Sequence, residues 1–135
     1  MMLVLGVISI ALGSFFIYQG LNKAALITET MKEENITYGA ADGSIQGIID
    51  TQTEAASMAA ILKEHRLAQG NYAELDRTDP KRQTILNAMT MENSLTLAEM
   101  GYGLTQVVEG TGAFMLLVGI ALGTSGVVGL RHKAA

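Results

Sequence analysis

Glu109 stands immediately before an uncharged run, residues 110–130, and Lys23 immediately after another, residues 1–22. An ionisable group at the edge of an apolar segment can be an ion or proton site. An interfacial ion pair of Lys23 with Glu109 is the reading the positions favour. Met58, Met89, Met91 and Met100 carry thioethers, which are soft ligands suited to copper(I). The chain has no cysteine and only His65 and His132 as imidazoles, so methionine as a flexible core filler is favoured. Glu33, Glu34, Asp42, Asp50, Asp76 and Asp79 could hold calcium or work as an acid–base pair, but no spacing matches an EF-hand loop and a solvated acidic surface is expected. DGSIQG is too short and too loosely placed for a phosphate loop. His65, beside Arg66, is expected on the charged, exposed side of a short helix. No nucleophile–base–orienter set is visible. No residue is assigned to catalysis, to a cofactor or to a metal, and the chain is expected not to be an enzyme.

The elements that carry these residues follow from composition. Of 135 residues, 49% are hydrophobic and 16% charged, and the mean hydropathy is +0.30. That balance is too apolar for a disordered or ordinary soluble chain and predicts membrane helices. A net charge of −4 removes the electrostatic case for a nucleic-acid partner.

Each uncharged run makes a helix of roughly 30 Å, the hydrocarbon thickness of a bilayer. The first lacks a basic leader and a close A-x-A site, which favours a retained anchor over a cleaved signal. All thirteen acidic residues and seven of the nine Lys and Arg lie between the runs. Arg131 and Lys133, flanking His132, follow the second run directly, while Lys23 weakly opposes them. The basic-residue bias predicts a multi-pass protein of the cell membrane, with both termini cytoplasmic and residues 23–109 extracytoplasmic.

The expected fold is an all-α membrane protein, an antiparallel two-transmembrane-helix hairpin with a small extracytoplasmic helical cap. Residues 1–22 form the first span. The middle segment divides into a helix extension over 23–34, a loop over 35–50, a helix over 51–69, a turn over 70–79 and a helix over 80–109. Gly39, Asp42, Gly43 and Ser44 mark the loop. Asp50 or Thr51 caps the second helix, Gly70 ends it, and Ala55, Met58, Ala59 and Leu62 form its apolar stripe. Asp79–Pro80 is a helix start, since Asp caps and Pro occupies a turn where its missing N–H costs nothing. From there the helix could run into the second span, 110–130, before a cytoplasmic tail, 131–135. Met100, Leu104, Val107, Thr111, Phe114, Val118 and Ala121 suggest a coiled-coil stripe along it, and Gly101 and Gly103 could kink it.

Gly6, Gly13 and Gly20 in the first run, and Gly112, Gly119 and Gly126 in the second, each recur every seven residues. Such spacing puts them on one face of a left-handed supercoiling helix, where small residues let backbones approach. If both runs are centred in one slab, Gly6 lies level with Gly126, Gly13 with Gly119 and Gly20 with Gly112. The same register sets Glu109 level with Lys23. Ser9, Ser14, Thr124 and Ser125 can bond across helices or back to their own turns.

The segment NYAELDRTDPKRQTILNA resembles a block, TYAELDREDPxRxTVMxA, found in a family of small actinobacterial-type two-span membrane proteins of undefined function. Those proteins also have an N-terminal span, an ITV stretch (here ITYGAADG), an Ala-rich helix and a Gly-rich C-terminal span. The resemblance covers nearly the whole chain, with Tyr72 to Arg82 its specific part. The C-terminus is less basic than usual in the family, and Met89–Met91 replace aromatic or small residues. Members often carry the label aromatic ring-opening dioxygenase, but the His and Glu ligands of such an iron site are not evident here. The resemblance implies architecture, with Tyr72, Leu75, Asp79 and Pro80 as anchors of a turn and cap.

A two-helix hairpin is thin and buries little surface alone. The expected partners are therefore the lipid bilayer and either further copies, as a homo-oligomer, or a larger membrane complex. The expected role is structural or accessory, docking through Gly-lined helices. The alternative is an oligomeric channel or small transporter with Glu109 or Ser and Thr side chains lining a lumen.

Overall fold

Helix α1 covers Met2–Glu33, strand β1 Thr37–Gly39, strand β2 Ile45–Ile48, helix α2 Gln52–Ala68 and helix α3 Lys81–Ala134. The computed structural model describes residues 1–39 and 45–134. Asp42, Gly43 and Ser44, read above as loop markers, lie outside the described residues. The chain divides into two compact units: Met1–Ala25 with Leu104–Ala135, and Leu26–Gly103. α1 and α3 are each long and apolar enough to cross a membrane.

α1 stops where its sequence offers a left-handed residue. Asn35 has φ +50°, and its N–H reaches the Lys32 carbonyl at 3.1 Å while the Ile36 N–H reaches the Met31 carbonyl at 3.3 Å. That bond pair is a Schellman cap, in which asparagine tolerates the αL conformation better than most residues.

The chain is mostly helical, and it departs from the all-α expectation in a short hairpin just beyond this cap. Within the segment read as a loop over 35–50, β1 pairs antiparallel with β2, Thr37 opposite Ile48 and Tyr38 opposite Gly47. The register shifts between Tyr38 and Gly39. Gly47, at φ +150°, adopts a backbone that other residues avoid. The Ile49 N–H extends the pairing to the Ile36 carbonyl, 2.8 Å away. The β-branched residues Ile36, Thr37, Ile45, Ile48 and Ile49 favour strands, and the glycines and Asp42 among them masked that preference.

α2 is capped by Thr51, whose hydroxyl accepts the Glu54 N–H at 3.3 Å. The Glu54 carboxylate reaches back to the Asp50 N–H at 3.1 Å, close to a reciprocal capping box. Asp50 itself pairs with Lys32 at 3.1 Å. Ala55 and Ala59 are buried, and Gly70, at φ +106°, follows the helix end. Ile49, Ile85 and Leu95 are the largest fully enclosed side chains of this unit. Beside them Tyr102 is buried, and its hydroxyl meets Thr28 Oγ1 at 2.6 Å and the Asp50 carbonyl at 3.1 Å.

α3 begins at its expected cap, the Asp79 carboxylate accepting the Lys81 N–H at 2.8 Å with Pro80 in the first turn. It is helical without a break through Gly101 and Gly103 and on to Ala134, so residues 131–134 continue the helix rather than form a separate tail. A methyl at Gly101 would stand 2.8 Å from Ile27 Cδ1, so Gly101 serves as a packing notch for that side chain.

The coiled-coil stripe lies elsewhere than expected. Met100, Leu104, Val107, Thr111, Phe114 and Ala121 are exposed and Val118 is half-buried, while the buried positions of this stretch are Tyr102, Thr105, Gly112 and Gly119. On a helix apolar nearly all round, hydrophobicity carries no direction, and the smallest residues mark the contact face.

Candidate functional site

The six glycines at seven-residue spacing lie where α1 and α3 approach within the unit built from the chain's two ends. A Cβ at Gly13 would stand 2.6 Å from the Gly112 carbonyl oxygen, and one at Gly6 would stand 2.8 Å from that of Gly119. Partner numbers fall along α3 as they rise along α1. At these positions backbone faces backbone, and no rotamer change could make room for a side chain.

The register differs from that expected of equal depth. Gly126 meets Leu3 rather than Gly6, and Gly119 meets Gly6 and Ile10 rather than Gly13. Gly112 meets Gly13 and Ile17, and Gly20 meets Glu109 and Thr105. The physical reason is the filling of space. Two glycines set level would leave a shared hollow, whereas staggering lets each glycine receive a side chain. Leu3 seats on Gly126, Ile10 on Gly119 and Ile17 on Gly112. In return Leu116 seats on Gly13 and Glu109 on Gly20, and the Gly123 backbone fills the place against Gly6.

Each of these residues lies three positions before a glycine on its own helix. That offset was present in the sequence and would have identified Leu3, Ile10, Ile17 and Leu116, which the glycine spacing alone did not.

Glu109 thus occupies a packing position. Its Cγ stands 2.5 Å, and its Oε1 3.2 Å, from where a Gly20 Cβ would be. Lys23 is exposed, and among the described residues Lys23 and Glu109 form no ion pair. The expected pairing assumed the level register, and the stagger turns Glu109 to the bare backbone of Gly20. Of the small polar residues, Ser9 Oγ donates across the helices to the Met115 carbonyl at 2.7 Å. Thr124 and Ser125 donate back to carbonyls of their own turn.

The block Tyr72–Arg82 has a separate geometry in the other unit. The Arg82 guanidinium lies 3.9 Å over the Tyr72 ring centroid and donates to the Leu75 carbonyl at 2.7 Å and the Tyr72 carbonyl at 3.2 Å. One planar cation therefore closes the turn on the first helical turn of α3, while Asp79 and Pro80 start that helix. Tyr72 and Leu75 are thus the partners of the Arg82 side chain, while Asp79 makes the cap bond to Lys81. Lysine cannot stack and fork in this way. Arg82→Lys is expected to lower stability by about 1–2 kcal/mol. A fall in the thermal midpoint by circular dichroism, with faster proteolysis between Gly70 and Asp79, would register the loss.

Arg66 bonds Glu92 on α3, Nε to Oε2 at 2.8 Å, with both side chains mostly buried. His65 is exposed. Among the described residues no three His, Cys, Asp or Glu side chains gather as a metal site. No protein-family model matches the chain, and searches of curated proteins and of solved structures return no similar protein.

Proposed function

We propose that this chain is a structural or accessory integral membrane protein without catalytic activity of its own. α1 and α3 cross the bilayer as an antiparallel hairpin, residues 23–109 lie outside the cytoplasm, and both termini lie inside. The hairpin associates with further copies or docks on a larger membrane complex. The observation that carries this reading is the outer surface of two span-length helices. Val4, Val7, Phe15, Phe114, Leu117 and Ile120 are each half or more exposed while the glycines turn inward. Water would not tolerate so much contiguous apolar surface, and lipid covers it without cost.

Because the glycine seam is filled from within the chain, association uses the outer faces rather than those six glycines. Gly110 and Gly129, with open space where a Cβ would stand, permit close approach there. The Tyr72–Arg82 resemblance to other two-span proteins fits the same architecture, its residues forming a turn lock.

The cysteine-free chain makes the test direct. Single cysteines at Phe114, Leu117 and Ile120 should give, on oxidation or with a short bifunctional reagent in native membranes, a dimer or an adduct with one discrete partner. A chain that stays monomeric from every outer-face position overturns the association. Lys63→Cys should react with an impermeant maleimide in intact cells, and Arg131→Cys only after permeabilisation. The reverse pattern overturns the orientation.

A further inference from the structure

The unit Leu26–Gly103 contains an open groove of about 730 Å³ between the last turns of α1 and the first half of α3. Its volume lies in the range of small-molecule sites. Ile27, Met31, Ile36, Met91, Leu97 and Ala98 supply an apolar bed. The Schellman cap holds Ile36 beside this bed and places Glu34 on its edge.

The polar groups of the groove are strongly biased. Thr30, Thr90 and Ser94 line it, and each hydroxyl hydrogen is spent on its own helix, on the carbonyls of Leu26 (2.9 Å), Leu86 (3.0 Å) and Thr90 (3.0 Å). What they offer a ligand is oxygen lone pairs. Glu34 adds a carboxylate that is exposed and, among the described residues, has neither an ion-pair nor a hydrogen-bond partner. Among the described residues the one free donor on the lining is the Asn87 amide, whose oxygen already accepts from Gln83 at 2.9 Å. Among the described residues no cationic side chain lines the groove.

An apolar bed ringed by acceptors and one carboxylate fits a molecule with an apolar body and a hydrogen-bond-donating positive head. We infer that the groove is a binding site for an amphipathic primary amine, its ammonium held by Glu34 and the Thr30, Thr90 and Ser94 oxygens and its hydrocarbon lying on Ile27, Met31 and Met91. The neutral alcohol lacks the charge that complements Glu34. A carboxylate of the same length meets like charge and no compensating donor beyond Asn87. The inference stands apart from the proposed accessory role, since it concerns only this unit and holds whatever the protein assembles with.

The test uses the full chain in nanodiscs of zwitterionic lipid, titrated calorimetrically at neutral pH with octylamine, 1-octanol and octanoate, with empty discs as the reference. Octylamine should bind saturably at one site per chain, about tenfold or more tighter than octanoate, in keeping with one charge-assisted hydrogen bond. Glu34→Gln, a change at an exposed helix end that leaves the fold intact by circular dichroism, should weaken octylamine about tenfold and leave octanol unchanged. Ala98→Trp, which fills the bed, should remove saturable binding of octylamine. Equal affinity for octanoate and octylamine, octylamine binding indifferent to Glu34→Gln, or uptake no greater than that of empty discs would each overturn the assignment.

Discussion

Gly13→Ala is expected to destabilise the α1–α3 pairing by about 1–3 kcal/mol, even though alanine is the better helix former by about 1 kcal/mol. The added methyl would sit 2.6 Å from the Gly112 carbonyl oxygen and 3.0 Å from the Leu116 nitrogen. Both are backbone atoms, so relief requires moving one helix bodily away from the other, with loss of the contacts above and below. Gly13→Leu should cost more, since no rotamer escapes the seam. The series has an internal gradient. At Gly20 the nearest obstacle is the Glu109 side chain, which can swing aside, so Gly20→Ala should cost less than Gly13→Ala. Gly110 and Gly129 meet nothing within 4 Å, and alanine there should be neutral or stabilising by up to about 1 kcal/mol. Thermal midpoints of the four alanine variants in one detergent give the ranking. Equal effects at Gly13 and Gly110 would show that the seam does not hold the helices together.

The second large effect concerns Arg66 and Glu92. Their side chains are 14% and 16% exposed, and the bond is a fork, with a further contact from Nη2 to Oε1 at 3.5 Å. Removing one member of a largely buried pair leaves the other charge without compensation. Full burial would cost about 3–5 kcal/mol, and the remaining solvent access here brings Glu92→Ala to about 2–3 kcal/mol. The double change Arg66→Met with Glu92→Leu replaces both charges by apolar groups of similar length and should recover most of that loss. A double-mutant cycle on thermal or denaturant midpoints separates the two outcomes. If Glu92→Ala were as mild as a surface substitution, the pair would hold no structural role. The exposed pair Lys32–Asp50 is the natural control, with an expected contribution within about 1 kcal/mol.

These effects bear on function because the seam and the turn lock set what the outer surfaces can present. Where α1 and α3 meet through backbone, the six seam glycines are occupied from within the chain. The association proposed above is therefore tested on the phenylalanine- and leucine-bearing sides. The groove of the other unit depends in turn on Asn35, whose αL backbone brings Ile36 back over Met31.

Local features were legible in the residues alone. Asp79–Pro80, Thr51, Gly70 and the seven-residue glycine spacing each act through neighbours within a turn or two, so residue type and offset suffice to place a cap, a stop or a face. The β-hairpin was not legible, because Gly39 and Gly47 break the pattern of strands only three and four residues long. Their pairing rests on bonds between segments, such as Ile49 to Ile36, that no local window contains. The Arg66–Glu92 pair was not legible for a related reason: the partner lies on another helix, and a charge's burial depends on what stands opposite.

The sequence by itself determined that two long apolar helices bracket an acidic, mostly helical middle, and which face of each helix is bare enough for close approach. Only the tertiary structure decided the register between those faces. Seven-residue spacing is satisfied by any slide that brings glycines near the partner helix. The choice among slides falls to side-chain volume, with Leu3, Ile10, Ile17, Leu116 and Glu109 each seated on a glycine.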